Sequence, residues 1–186
     1  MNLINNHHIQ IFDDFYSVYG QQIEKLWPEL KDVVIDVYDK NSAQLKDYII
    51  KHDVFGDMSE NIDSPFQCYP NFQYHNQTIN DLIMRDDLCQ KATLTKQEHF
   101  ALIAHEIGHF ISAYRNTGLK GQEEEYFADA RAKELGLGQE LANALRKCME
   151  IIPAPDSNDP FVHMQQQQHE SNETMKDKIL ERIDKL

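Results

Sequence analysis

The chain is poor in basic residues and long apolar runs, and each shortage excludes a class of protein. Its 186 residues include 18 Lys and Arg against 31 Asp and Glu, which gives a formal net charge of −13. Such acidity repels phosphate backbones, so we expect no nucleic-acid partner. The most apolar stretch, residues 100–113, is interrupted by two histidines and a glutamate. It falls short of the roughly 20 apolar residues of a membrane span, so none is expected.

Cysteine and targeting signals are scarce as well. Cys68, Cys89 and Cys148 are odd in number and widely spaced, which favours neither a disulfide framework nor a C-x-x-C metal knuckle. Residues 1–8 lack the basic start and apolar stretch of a secretory signal. We therefore expect a cytoplasmic globular protein. The acidity leaves room for a cation, and nine histidines make a metal site worth seeking.

Apolar periodicity predicts a mostly helical α+β fold with a small sheet. Residues 12–52 are predicted to be helical, residues 53–78 to be loops and short extended pieces, and residues 78–84 to be a strand. Further helices are predicted after a capping box at 95–98, at 122–135, from 141 to 152, and at the end of the chain. Residues 1–60 are predicted to form an N-terminal helical region packed on a core of residues 61–186.

The motif His105-Glu106-Ile107-Gly108-His109 lies on the most strongly predicted helix. Histidines four residues apart project from the same helix face, so their imidazoles are able to bind one tetrahedral Zn²⁺. Glu106 lies on the adjacent surface, where it reaches a metal-bound water as a general base. Gly108 carries no side chain, which allows another backbone to approach closely. The alternative is a helix face with two hydrogen-bonded core histidines.

A third ligand is predicted sixteen residues beyond His109. Glu125 and Asp129 share a helix face, and a return helix would bring Glu125 to the metal and Asp129 behind a ligand histidine. Ala128 and Ala132 keep that face small. The alternative is a solvated acidic helix start, which accounts for residues 123 and 124 but not for the spacing to Asp129.

These two motifs, H-E-I-G-H and E-Y-F-A-D-A-R-A, resemble the gluzincin metallopeptidases, most closely the HtpX/CAAX-prenyl-protease group. Because members of that group are usually membrane proteins, this chain looks like the soluble minigluzincins that keep only the catalytic core. The resemblance covers about residues 70–150. It implies a zincin-like fold and a peptidase with one Zn²⁺ per chain, acting on a peptide or protein substrate. It also implies that the strand that pairs with extended substrate lies near residues 79–84.

The resemblance also implies a role for each residue of the two motifs. It places zinc on His105, His109 and Glu125, with Glu106 as base and acid. Asp129 is implied to orient a ligand histidine, most simply His105.

The chain departs from the family at the element that supplies donors to the transition-state oxyanion. The family commonly has His-Pro followed by an arginine. Arg182 resembles the end of that element, but the His-Pro is missing. His163, His169 and Tyr126 are the other candidates for this role. Arg182 is otherwise expected to be a solvated residue on an amphipathic helix.

Two other functions compete with a general metalloendopeptidase. ImmA/IrrE-type regulatory peptidases share H-E-x-x-H and a downstream E-x-x-A, but frequently continue with Asn-x-Phe-Ala, where this chain has residues 129–132 as Asp-Ala-Arg-Ala. The second alternative is a catalytically inactive zinc-binding interaction protein, with residues 1–60 as its partner-binding part.

Overall fold

The computed structural model describes residues 2–4, 9–39, 65–74, 77–151 and 176–186. Four strands form one sheet: β1 (Asn2–Ile4), β2 (Val34–Asp39), β3 (Phe66–Tyr74) and β4 (Gln77–Met84). The helices are α1 (Gln10–Leu26), α2 (Asp86–Lys91), α3 (Lys96–Tyr114), α4 (Gln122–Glu134), α5 (Gly138–Ile151) and α6 (176–185), with a 3₁₀ turn at Pro28–Leu30. The prediction of an α+β fold, mostly helical with a small sheet, is confirmed.

The sheet has the order β1-β2-β4-β3, so residues 1–60 and 61–186 contribute to the same sheet. β1 and β2 are parallel, as are β2 and β4, whereas β3 and β4 form an antiparallel pair. β4 is therefore internal. Among the described residues, no strand pairs with the outer side of β3. In the described part of the chain the edge strands are therefore β1 and β3, and the expectation that residues 79–84 pair with substrate is wrong, because residues 81–84 are paired with strands on both sides.

The prediction that residues 12–52 are all helical is wrong at β2. The alternating, β-branched sequence Val-Ile-Asp-Val-Tyr-Asp buries Ile35 and Val37 on one face and leaves Val34 exposed, which is a period of two. Val33, Val34 and Val37 also fit a helical spacing. A segment this short does not distinguish the period of a strand from that of a helix. Residues 40–52 lie outside the described ranges.

The other predicted elements lie close to their observed bounds. β4 matches the predicted strand, and α4, α5 and α6 match the predicted helices to within a few residues. In contrast, β3 extends for nine residues where short pieces were expected, and α2 was not predicted. Gly136, two residues after the end of α4, has a φ of +80°, a backbone conformation that glycine adopts without strain.

Helix α3 runs through the middle of the core. Its residues Phe100, Ile103, Ile107 and Phe110 are at most 1% exposed. α1 packs on this helix through the edge-to-face pair of Phe15 and Phe100, whose centroids lie 5.6 Å apart. In the described ranges no helix is long and apolar enough to cross a membrane. A buried central helix holds its side chains in fixed positions, which a functional site requires.

Asp81 on β4 is the one buried carboxylate among the described residues of the sheet, and its burial leads us to expect a pH-dependent stability. It is 2% exposed and pairs in register with Asp36 on β2. Burial, and secondarily the charge of Asp36, raise the pKa of Asp81 to about 7. A carboxyl whose pKa is raised on folding stabilises the protein below its unfolded pKa, and this contribution is lost as the pH rises to 7.

Asp81→Asn is therefore expected to stabilise the protein at pH 8 relative to pH 5. The free energy of unfolding of the variant minus that of the wild-type protein is expected to rise by about 2–3 kcal/mol from pH 5 to pH 8, since about two pKa units separate pH 5 from the raised pKa. Urea unfolding of both proteins at the two pH values measures it. Asp39→Asn, on β2, is the matched control. If the difference in free energy of unfolding between Asp81→Asn and the wild-type protein did not vary with pH, the pKa of Asp81 would not be raised by folding.

Candidate metal centre

The H-E-x-x-H segment lies in the middle of α3, as predicted. The capping box that starts this helix is present: the Thr95 hydroxyl accepts from the Glu98 N–H, and the Glu98 carboxylate accepts from the Thr95 N–H. His105 is 5% exposed and Glu106 is 7% exposed. A histidine side chain buried this deeply needs polar partners, which the next helix supplies for His105.

Helix α4 reaches α3 because Gly108 has no side chain. A Cβ built on Gly108 would lie 2.6 Å from Ala128 Cα and 3.0 Å from Ala128 Cβ. The two helices are thus in backbone contact, as the small residues predicted. Glu125 lies one turn before Ala128 on α4, Asp129 follows Ala128 directly, and both carboxylates approach the histidines.

Three side chains converge between the helices: His105, His109 and Glu125. One ligand atom from each lies within 4.8 Å of the others. The two Nε2 atoms are 3.2 Å apart, His105 Nε2 is 3.4 Å from Glu125 Oε2, and His109 Nε2 is 3.6 Å from Glu125 Oε1. In the described part of the chain, no second group of this kind is found.

These separations suit a small tetrahedral cation. Ligands held at about 2.0–2.1 Å from a tetrahedral centre lie about 3.3–3.4 Å from one another. The measured separations lie near that value, although the two histidines face different oxygens of Glu125. Two imidazole nitrogens and one carboxylate oxygen are also a donor set that divalent transition metals accept. The residues present therefore fit a metal ion, with three protein ligands.

Asp129 lies behind His105 rather than His109. Its Oδ1 is 2.9 Å from His105 Nδ1, the ring nitrogen on the side away from the cluster. An Nδ1–H donated to this carboxylate leaves the lone pair of Nε2 directed at the cluster. Asp129 is 4% exposed, so water does not weaken the contact.

Arg182 enters the site from α6. Its side chain is buried, and Nε and Nη2 donate to the two oxygens of Asp129 at 2.8 and 2.7 Å. Nη1 lies 2.7 Å from Glu125 Oε2. The alternative that Arg182 is a solvated residue is therefore wrong. An arginine presents five N–H donors in a planar fork, which suits two carboxylates at once.

The charges of this cluster shift the pKa values of its members so that the charged form of each group is favoured. Burial favours the neutral form of each group, but mutual hydrogen bonds outweigh it. Contacts with Asp129 and Glu125 raise the pKa of His105 to about 9. In Glu125 and Asp129, contacts with His105 and Arg182 likewise outweigh burial. The pKa values of both carboxyl groups therefore fall to about 2. A cation among these ligands would thus replace the proton on His105.

Two neighbours of the site were not predicted from the sequence. Glu124 Oε1 lies 3.7 Å from His109 Nδ1, which places a carboxylate behind the second histidine also. The partly buried Cys68, on β3, lies next to Glu106: burial raises the pKa of its thiol, and the Glu106 charge raises it further. The acidic run before Glu125 was a signal for Glu124, whereas no local pattern indicates Cys68.

Of the other candidates for stabilising the oxyanion, Tyr126 is described and is not brought to the cluster. Tyr126 faces α6, where the Lys185 ammonium lies 3.6 Å from the centre of its ring. His163 and His169 lie outside the described residues. Arg182 is in the site, although its N–H groups are directed at the carboxylates.

Comparison of the chain with protein-family models, curated proteins and solved structures found no match. Support for a function therefore comes from the residues themselves and their geometry.

Proposed function

We propose that the protein is a zinc-dependent metallopeptidase. The observation that carries the proposal is the convergence of His105, His109 and Glu125 from two helices in backbone contact, with Glu106 on the same helix as both histidines. Two histidines alone would be satisfied by hydrogen bonds within the core. A metal centre requires a third ligand close to both histidines and a carboxylate behind a ligand histidine, whereas a pair of core histidines requires neither.

Two histidines and a glutamate are a ligand set of catalytic zinc sites, and one ion per chain would be held by His105, His109 and Glu125. Bound there, zinc would supply Lewis acidity and lower the pKa of a bound water to about 7. Three protein ligands leave room for water or substrate, which distinguishes a catalytic from a structural zinc site.

The residues around the site then have separate tasks. Glu106 accepts the proton of the attacking water and passes it to the leaving amine. Asp129 holds the His105 ring in one orientation and tautomer. Among the described residues β3 is an edge strand that carries Cys68 next to Glu106, so it is the strand with which an extended peptide substrate would pair. A cytoplasmic location and the absence of a nucleic-acid partner stay predictions.

Metal content and hydrolysis test the proposal together. Native mass spectrometry of protein purified without chelator is expected to show one zinc per chain, and His109→Ala is expected to abolish it. The zinc protein should cleave a quenched fluorescent peptide library, and His99→Ala, on the same helix, should change neither result. No bound zinc would exclude the proposal. Bound zinc without cleavage of any peptide would favour the inactive zinc-binding protein, and cleavage confined to a regulator would favour the ImmA/IrrE type.

Asp129→Asn is expected to weaken zinc binding by about 10–100-fold, because the amide neither fixes the His105 tautomer nor raises the basicity of its ring. Competition with a chromogenic chelator measures the affinity. Asp184→Asn, which removes an exposed carboxylate from α6, should leave the affinity unchanged. An unchanged affinity in Asp129→Asn would show that the contact with His105 does not support metal binding.

A further inference from the structure

Arg182 connects the proposed third ligand to the carboxylate behind His105. Nη1 binds Glu125 Oε2, while Nε and Nη2 bind the two oxygens of Asp129. Because the guanidinium is planar and rigid, one side chain sets the positions of both carboxylates relative to each other. Its burial within α6, beside the buried Ile183, removes competition from water.

The two oxygens of Glu125 have different surroundings as a result. Both oxygens face a histidine Nε2, Oε2 at 3.4 Å from His105 and Oε1 at 3.6 Å from His109, but only Oε2 also forms a charge-assisted contact with Arg182, at 2.7 Å. Among the described residues no Lys or Arg forms an ion pair with Oε1. A guanidinium draws electron density from the oxygen it contacts and occupies one of its lone pairs. Oε1 is therefore the better donor to a metal ion.

We propose that Arg182 restricts Glu125 to one coordinating oxygen, Oε1, and thereby keeps a coordination position open. The inference rests on the proposed function. With two imidazoles, a glutamate that binds through both oxygens fills four positions, which is the number of a closed structural zinc site. A glutamate that binds through one oxygen fills three and leaves the fourth to water or substrate. Arg182 is thus a positioning residue that acts through Glu125.

Infrared difference spectroscopy distinguishes the two binding modes directly. The asymmetric and symmetric stretches of a carboxylate lie further apart when one oxygen binds a metal than when both do. Spectra of zinc-loaded minus EDTA-treated protein contain these bands, and their loss in Glu125→Gln identifies them. The wild-type protein is expected to show the wide separation and Arg182→Met the narrow one. Arg182→Gln, which keeps a neutral donor, is the second variant if Arg182→Met does not fold.

Two controls separate the contact with Glu125 from other effects of Arg182. Lys185→Met removes a cation from the same helix without touching either carboxylate, and it should keep the wide separation. Asp129→Asn keeps the arginine on Glu125, and it should do the same.

Three results would overturn the inference: a narrow separation in the wild-type protein, a wide one in a folded Arg182 variant, or a narrow one in Asp129→Asn. In each of these cases zinc is bound and the proposed function stands. Failure of the wild-type protein to bind zinc at His105, His109 and Glu125 would instead refute both.

Discussion

Glu106→Gln is expected to lower kcat for peptide hydrolysis by about 10³–10⁴-fold while zinc stays bound. Glutamine has nearly the shape of glutamate but cannot accept a proton from water. Glu106 is buried beside the histidines, and it is not a member of the three-ligand cluster. Its loss should therefore remove the base without removing a ligand. Single-turnover hydrolysis and native mass spectrometry on the same sample measure the two effects separately.

The control for this variant is Glu123→Gln, which removes an exposed carboxylate from the first turn of α4. It changes the net charge by the same amount and should leave kcat unchanged. Retained hydrolysis in Glu106→Gln would refute the assignment of the base. Loss of zinc in that variant would mean instead that Glu106 contributes to metal binding.

Gly108→Ala is expected to destabilise the protein, although the same change stabilises an ordinary helix by up to about 1 kcal/mol. The new Cβ would lie 2.6 Å from Ala128 Cα, and a backbone atom cannot rotate away as a side chain can. Helices α3 and α4 would have to separate, which carries Glu125 away from the histidines. We expect a net loss of about 2–3 kcal/mol, a decrease in Tm of about 5–10 °C, and weaker zinc binding.

Gly20→Ala is the matched control, since it also adds a Cβ to a buried glycine within a helix. There the nearest atoms belong to the Tyr16 ring, at 3.2 Å, and a ring edge is able to move by a few tenths of an ångström. Its expected effect lies within about 1 kcal/mol of zero, because the gain in helix propensity offsets the tighter contact. If Gly108→Ala were as mild as Gly20→Ala, the close approach of α4 would not be what holds the site together.

The fold was predictable where a pattern extended over many residues. The capping box and the apolar face of α3 predicted that helix, and local signals of this kind do not depend on the rest of the chain. β2 shows the limit. Val34–Asp39 is short enough to fit two periods, and its strand state depends on pairing with β1 and β4, which come from distant parts of the sequence.

The sequence by itself determined the residues of the site: two histidines at helical spacing, a glutamate beside the first, a small-residue face, and a second pair of carboxylates at the same spacing. Helical periodicity places such residues on common faces without any tertiary information.

Only the tertiary structure decided which helix faces contact each other, because these contacts depend on packing between segments that are separated along the chain. It placed Asp129 on His105 and Glu124 beside His109. It also put Arg182, fifty-three residues after Asp129, on both carboxylates, and it placed β4 inside the described sheet with β3 at one edge.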